Sequence, residues 1–284
     1  MSAKDILSAL GQLDFENTFN PYFDRCPVHD AAGAPELRSY YLVEMLERAA
    51  SSNLDAIWVG RDLGYRGGRR TGLALTDDIH FSDHLVRWGL EPKRPTSGAP
   101  VPERTAAAIW DILMRVRVPV FLWNVFPLHP YEGGDPFSNR AHNARERKAG
   151  TDILINIVHY LKPQRLVAVG NDAFNVLSNA LPDEKVFKVR HPSYGGQNEF
   201  LKAMRDLYAD TLIETELDLF SVGISNDQLE CPNRGEPTTG RSRVFAKEQL
   251  ADWQVSRTSR PKRSSANPER TVASDARLPF GCSR

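Results

Sequence analysis

Short apolar runs punctuate this chain at Ala56 to Val59, Val118 to Trp123, Arg165 to Val169 and Val186 to Val189. Each is continuous rather than alternating, which predicts strands buried on both faces. Between them lie stretches whose apolar residues fall three and four apart. In Glu36 to Ala50 these are Leu37, Tyr40, Tyr41, Met45 and Leu46, with Pro35 at the start, the signature of a helix with one buried stripe. The same reading gives helices over 4–13, 103–117, 149–161, 172–179 and 200–219. Strand and helix in alternation predict an α/β fold: a three-layer α/β/α arrangement around a central, mostly parallel four-stranded sheet.

The remaining segments lack such periods. Residues 1–35 read as a strap over the core, and 71–90 as irregular. Residues 91–102 carry four prolines and 127–134 are rich in turn formers, so both are expected to be loops. From Ser221 onward the chain is rich in Ser, Arg, Pro, Asn and Thr, and is expected to be a disordered tail. The expected organisation is therefore a strap over 1–35, a catalytic domain over 36–220 and a tail over 221–284.

Composition narrows the function. The formal net charge is zero, with 36 basic and 36 acidic residues, so any affinity for nucleic acid must come from local clusters. Three cysteines, Cys26, Cys231 and Cys282, are odd in number and far apart. They argue for a reducing compartment and cannot form a four-thiolate metal site. With no signal peptide and no long apolar span, the expectation is a soluble cytoplasmic protein, a monomer without membrane contact, metal or cofactor.

The candidate chemistry sits where the first strand ends. Gly60-Arg61-Asp62-Leu63-Gly64-Tyr65-Arg66-Gly67-Gly68-Arg69-Arg70 packs glycines and arginines around one carboxylate. Glycine admits close approach of a ligand, and arginine matches phosphate oxygens with a planar fork of donors. The competing reading is a solvated, idle surface turn; a salt bridge of Asp62 to Arg69 or Arg70 is also open and is compatible with catalysis. Two more polar groups fall at strand ends, Asn124 and His191-Pro192-Ser193. In a parallel sheet all of these meet at one rim, the edge at which such folds bind ligands. His129 and His142 belong to no motif and read as surface or structural residues.

On Gly60-Arg61-Asp62-Leu63-Gly64, Asn124 and His191-Pro192-Ser193, in that order and spacing, the chain resembles the uracil-DNA glycosylase superfamily over roughly residues 54–205. The resemblance implies an enzyme that flips a nucleotide from DNA into a pocket and hydrolyses its N-glycosidic bond. Asp62 would orient the water and offset positive charge on the sugar. His191 would donate to the 2-keto oxygen of the departing base, a role in which one donor is worth about 3 kcal/mol. Asn124 would read the base edge, with Gly60, Gly64, Tyr65 and Leu75 shaping the pocket. Ser193 and the glycine-loop amides would clamp phosphates, Arg61, Arg66, Arg69 and Arg70 would contact DNA, and Tyr194 would wedge into the base stack.

Two positions depart from the uracil-specific pattern. Gly64 stands where those enzymes carry a tyrosine that walls off the ring's 5-position. Leu75 stands where they carry a stacking phenylalanine, losing about 1 to 3 kcal/mol of stacking unless Phe81 or Tyr65 substitutes. The expected substrate therefore widens to 5-modified pyrimidines, including hypermodified viral bases, which would make the enzyme a defence protein. A catalytically inactive DNA-binding module is the alternative. A nucleotide-binding enzyme is disfavoured, because the loop matches neither the P-loop nor the Rossmann spacing.

Overall fold

The computed structural model of the chain describes residues 1–213. Helix α1 (Ala3–Leu10) starts from a reciprocal capping box between Ser2 and Asp5. There follow strand β1 (Thr18–Phe19), helix α2 (Ala34–Ala50) with Pro35 in its first turn, and strand β2 (Ala56–Gly60). After the glycine loop come two short helices, α3 (Gly68–Thr71) and α4 (Phe81–Arg87), then α5 (Arg104–Leu113). Strands β3 (Val120–Asn124) and β4 (His129–Pro130) precede α6 (Ala144–Leu161), β5 (Arg165–Val169), α7 (Asn171–Ala180), β6 (Val186–Val189) and α8 (Gln197–Leu207). A 3-10 turn over Ala209–Thr211 closes the described chain.

The central sheet has the order β3-β2-β5-β6 and every pairing in it is parallel. Its strands alternate faces with period two. Ile57, Val59, Phe121, Trp123, Leu166 and Ala168 pack against α1, α2, α6 and α7, while Ala56, Trp58, Val120, Leu122 and Val167 pack against α5 and α8. Both faces are covered, which explains why the strands read as unbroken apolar runs. The fold is the three-layer α/β/α arrangement. A separate antiparallel pair, β1 with β4, is stitched by Thr18 opposite Pro130.

Several boundaries differ from the sequence expectation. The segment 71–90 is not irregular throughout: α4 buries Phe81, His84 and Leu85 on one face, a stripe too short to stand out as a period. Helix α6 begins five residues early because Asn143 caps it, accepting from the Arg145 and Glu146 amides. The last helix ends at Leu207; residues 214–219 of its expected span, and the whole expected tail, lie outside the described residues. Residues 1–35 contribute α1, whose Ile6, Leu7 and Leu10 are buried with α2 and α6.

Because the sheet is parallel, the carboxyl ends of all four strands share one rim. Gly60 is level with Asn124, and Val169 with Val189. That register delivers Asp62, Asn124, Gly170 and His191 to the same edge.

Candidate active site

Asp62 is held from two sides. Its side chain is 6% exposed. Oδ2 accepts from Arg61 Nε at 2.6 Å, and Oδ1 accepts from His142 Nδ1. The tautomer of His142 follows from its other nitrogen: Arg147 Nε donates to His142 Nε2 at 3.1 Å, so the ring proton is on Nδ1 and points at Asp62. Arg147 in turn donates to Asp172 Oδ1 at 3.0 Å, tying α6 to the start of α7. His142 is thus buried and bonded to the carboxylate, which corrects the expectation of a surface residue.

Asn124 is 1% exposed, and among the described residues neither its amide nitrogen nor its amide oxygen has a hydrogen-bond partner. A buried amide without partners is costly, about 1–3 kcal/mol per group. Gly60 lies directly against it. A Cβ there would collide with Asn124 Oδ1 and come within 2.9 Å of Leu75 Cδ2, so only glycine lets the amide and Leu75 meet at the strand end. Leu75 holds a left-handed backbone, φ 54°, an uncommon conformation for a leucine and one that concentrates at functional sites.

His191 stands beyond β6. The Ser193 amide donates to its Nδ1 at 3.2 Å, and Ser193 Oγ lies 2.7 Å from the same atom. Nδ1 is therefore the acceptor, and Nε2 carries the proton. Burial, with a smaller push from the Arg61 guanidinium, holds the imidazole's pKa below the ordinary histidine value. At neutral pH His191 is an uncharged donor held in one orientation, suited to an oxygen on which negative charge develops. Gly170 lies opposite, with φ 99°, and a Cβ there would come within 3.3 Å of the His191 Cβ.

Asp62, Gly64, Leu75, Gly170, His191, Ser193 and Tyr194 line one cleft of about 650 Å³. Its near wall includes Asn139, whose Oδ1 accepts the Tyr65 amide at 2.9 Å, and Arg140, which is locked to Glu146 by bonds of 2.6 and 2.8 Å. Tyr194 is 99% exposed at the lip, with φ 51°. Among the described residues no group of three or more His, Cys, Asp or Glu side chains could hold a metal ion, and no helix is long and apolar enough to cross a membrane.

A family model described as the Uracil DNA glycosylase superfamily matches residues 51–212. The chain belongs to the uracil DNA glycosylase superfamily. Among solved structures, the crystal structure of wild-type SMUG2 from Pedobacter heparinus is similar at 12% sequence identity and a TM-score of 0.49, covering 78% of this chain and 98% of that one. No curated protein matches the chain in sequence.

Within this superfamily fold the arginines of the glycine loop divide. Arg61 and Arg66 are exposed, Arg61 against Asp62 and Arg66 with its Nε 2.7 Å from the Tyr65 hydroxyl. Arg69 and Arg70, expected to contact DNA, are each only 4% exposed. The Arg69 guanidinium lies over the rings of Phe19 and Phe137, at 4.1 and 4.9 Å from their centroids. Arg70 pairs with Asp78 at 2.7 Å. They are interior groups that fix the loop, so they are withdrawn from the DNA-contacting set, and the arginine partner of Asp62 is Arg61. Phe81 is also excluded as a stacking substitute, being 1% exposed and edge-on to Tyr41 in the core.

Sequence reasoning passed over His142, Asn139 and Arg140. All three lie in the segment between β4 and α6, which has neither period nor motif. The one signal there was the capping pair Asn143 and Glu146, which sets where α6 begins and so where His142 sits. His129 has a structural role: Nδ1 donates to the Leu63 carbonyl at 2.7 Å, and burial lowers its pKa to about 4.

Proposed function

We propose that the chain is a DNA glycosylase that hydrolyses the N-glycosidic bond of a uracil or 5-modified pyrimidine flipped out of DNA. One observation carries this reading: the buried, doubly held Asp62 carboxylate and the uncharged Nε2–H of His191 line the same cleft at the carboxyl rim of the sheet.

The reaction needs both. As the sugar–base bond lengthens, positive charge grows on C1′ and negative charge on the base. Asp62 faces the sugar, stabilises the cation and orients the water that attacks it. His191 donates to the 2-keto oxygen of the leaving base without having to lose a charge of its own. The amide of Asn124, buried and outside the lining of the cleft, is assigned to the base edge by the family resemblance alone. Arg61, Arg66 and Ser193 hold the flanking phosphates, and exposed Tyr194 fills the gap in the stack left by the flipped nucleotide. The working unit includes residues 1–35, whose α1 packs with α2 and α6 and whose Asp30 pairs with Arg38, and it acts as a monomer on DNA inside the cell.

A second reading, removal of hypermodified bases from viral DNA as a defence, is favoured by Gly64, which puts no aromatic wall beside the cleft. The test is release of free base from DNA carrying uracil or a 5-substituted pyrimidine, wild type beside Asp62→Asn. Release that the substitution abolishes supports the glycosylase. DNA binding with no release from any substrate supports the inactive binding module.

A further inference from the structure

Tyr194 borders a second cleft besides that of Asp62. This one, of about 470 Å³, is lined by Lys188, Arg190 and Glu199, and shares Tyr194 and His191 with the first. None of its three charged residues belongs to the motifs at Asp62, Asn124 and His191.

The cations reach it from opposite faces of one strand. β6 stands last in the sheet order, so no further strand covers its outer side among the described residues. Phe187 and Val189 pack with α5 and α8, which turns Lys188 to the other face. There its ammonium lies 5.1 Å from the ring centroid of Phe174 on α7. Arg190, the first residue past the strand, bends instead toward the start of α8. A Cβ on Gly196 would come within 2.7 Å of Arg190 Nε and would collide with the His191 carbonyl, so glycine is what lets the arginine cross here.

Both cations remain available to a ligand. Lys188 and Arg190 are exposed. Arg190 Nε lies 3.5 Å from Glu199 Oε1, but the two side chains are 51% and 68% exposed, and such a pair holds its arginine only weakly. Two positive charges against one negative leave this cleft net positive in a chain whose formal net charge is zero. Its ligand is therefore an anion. A strand that places one nucleotide in the first cleft must leave it in both directions. One direction is met by Arg61, which lines the first cleft, and the other passes Tyr194 into the second.

We propose that the second cleft is a binding subsite for the DNA strand that carries the target nucleotide, in which Lys188 and Arg190 neutralise backbone phosphates beyond Tyr194 and Glu199 holds the affinity down. This rests on the glycosylase reading above for its ligand, and adds contacts that serve every sequence alike, because phosphates carry no base identity.

The experiment measures binding of the full chain to a duplex carrying one tetrahydrofuran abasic site, at several salt concentrations. Lys188→Ala with Arg190→Ala should weaken binding on the order of tenfold and reduce the salt-dependence slope by about 2, one for each phosphate contact. Glu199→Gln removes the carboxylate from the cleft and should tighten binding by about threefold, a gain that misfolding cannot mimic. Replacing single phosphates by methylphosphonates should cost wild type affinity at one or two positions on one side of the abasic site, and cost the double variant nothing there. An unchanged slope in the double variant, or equal methylphosphonate costs in both proteins, overturns the proposal: the two cations then only guard the edge of the sheet. Base release from uracil-containing DNA, followed on the same preparations, separates this from the activity. Release with an unchanged slope overturns the subsite and leaves the glycosylase standing, whereas the expected binding responses with no release by wild type support the subsite and bring down the glycosylase.

Discussion

Two halves of one loop carry the same residue type and use it in opposite ways. Arg61 and Arg66, next to the strand end, are exposed, and Arg61 lines the cleft. Arg69 and Arg70, three residues further on, are buried. The difference comes from what each meets. Arg70 finds Asp78, which also accepts from Thr96 Oγ1 at 2.9 Å, and Arg69 finds two aromatic faces. Nearby Arg38 is buried likewise, paired with Asp30 and donating to the Arg70 carbonyl at 2.9 Å. Arg70 and Arg38 enter the interior with carboxylate partners, whereas Arg69, whose buried Nε has no hydrogen-bond partner among the described residues, is held between aromatic faces, so the partners, and not the local sequence, decide which arginines stay exposed.

The largest effect that can break this comparison is on stability. Arg70→Ala leaves the buried Asp78 without its counter-charge, and should cost about 3–5 kcal/mol in urea unfolding. A loss below about 1 kcal/mol would mean that Arg70 is not the interior group described. Next comes His142, which acts through Asp62. His142→Ala should lower the single-turnover rate of base release about 10- to 100-fold, as loss of one hydrogen bond to a charged group requires, with DNA affinity unchanged. Equal losses in rate and affinity would instead make His142 a structural residue.

The interior side of the comparison also has a pH signature. Burial lowers the pKa of His84 to about 3 and that of His129 to about 4. Both are uncharged in the folded state down to those values, whereas in the unfolded chain they gain protons below about pH 6.5. Their contribution to stability is therefore full above pH 6.5 and is lost as pH falls, by about 2 kcal/mol per histidine at pH 5. Urea unfolding at pH 7 and pH 5 should show that loss, and His84→Gln should reduce it. The smallest effect belongs to the exposed half. Arg66→Ala should leave stability within about 0.5 kcal/mol, weaken DNA binding alike for all sequences, and reduce the salt-dependence slope by about 1.

What was legible in the sequence follows the same division. Strands buried on both faces announce themselves as unbroken apolar runs, and a parallel sheet then puts Asp62, Asn124 and His191 on one rim without further information. Gly60 and Gly64 could be read because close approach leaves a mark in residue type. His142 could not, since it reaches Asp62 across 80 positions from a loop without a period. Nor could the burial of Arg69 and Arg70 be read, because it depends on Asp78, Phe19 and Phe137 arriving from three other segments. The place of Glu103 was hidden for a related reason: its carboxyl lies against Gly64 and Gly67, more than thirty residues before it.

The measurement that tests the account most directly is single-turnover release of free base from uracil-containing DNA by wild type and Asp62→Asn, with DNA binding measured on the same preparations. The account predicts a rate reduced by orders of magnitude in the variant and affinity little changed. A variant that releases base at the wild-type rate would contradict it, because the carboxylate held by Arg61 and His142 would then have no part in the chemistry.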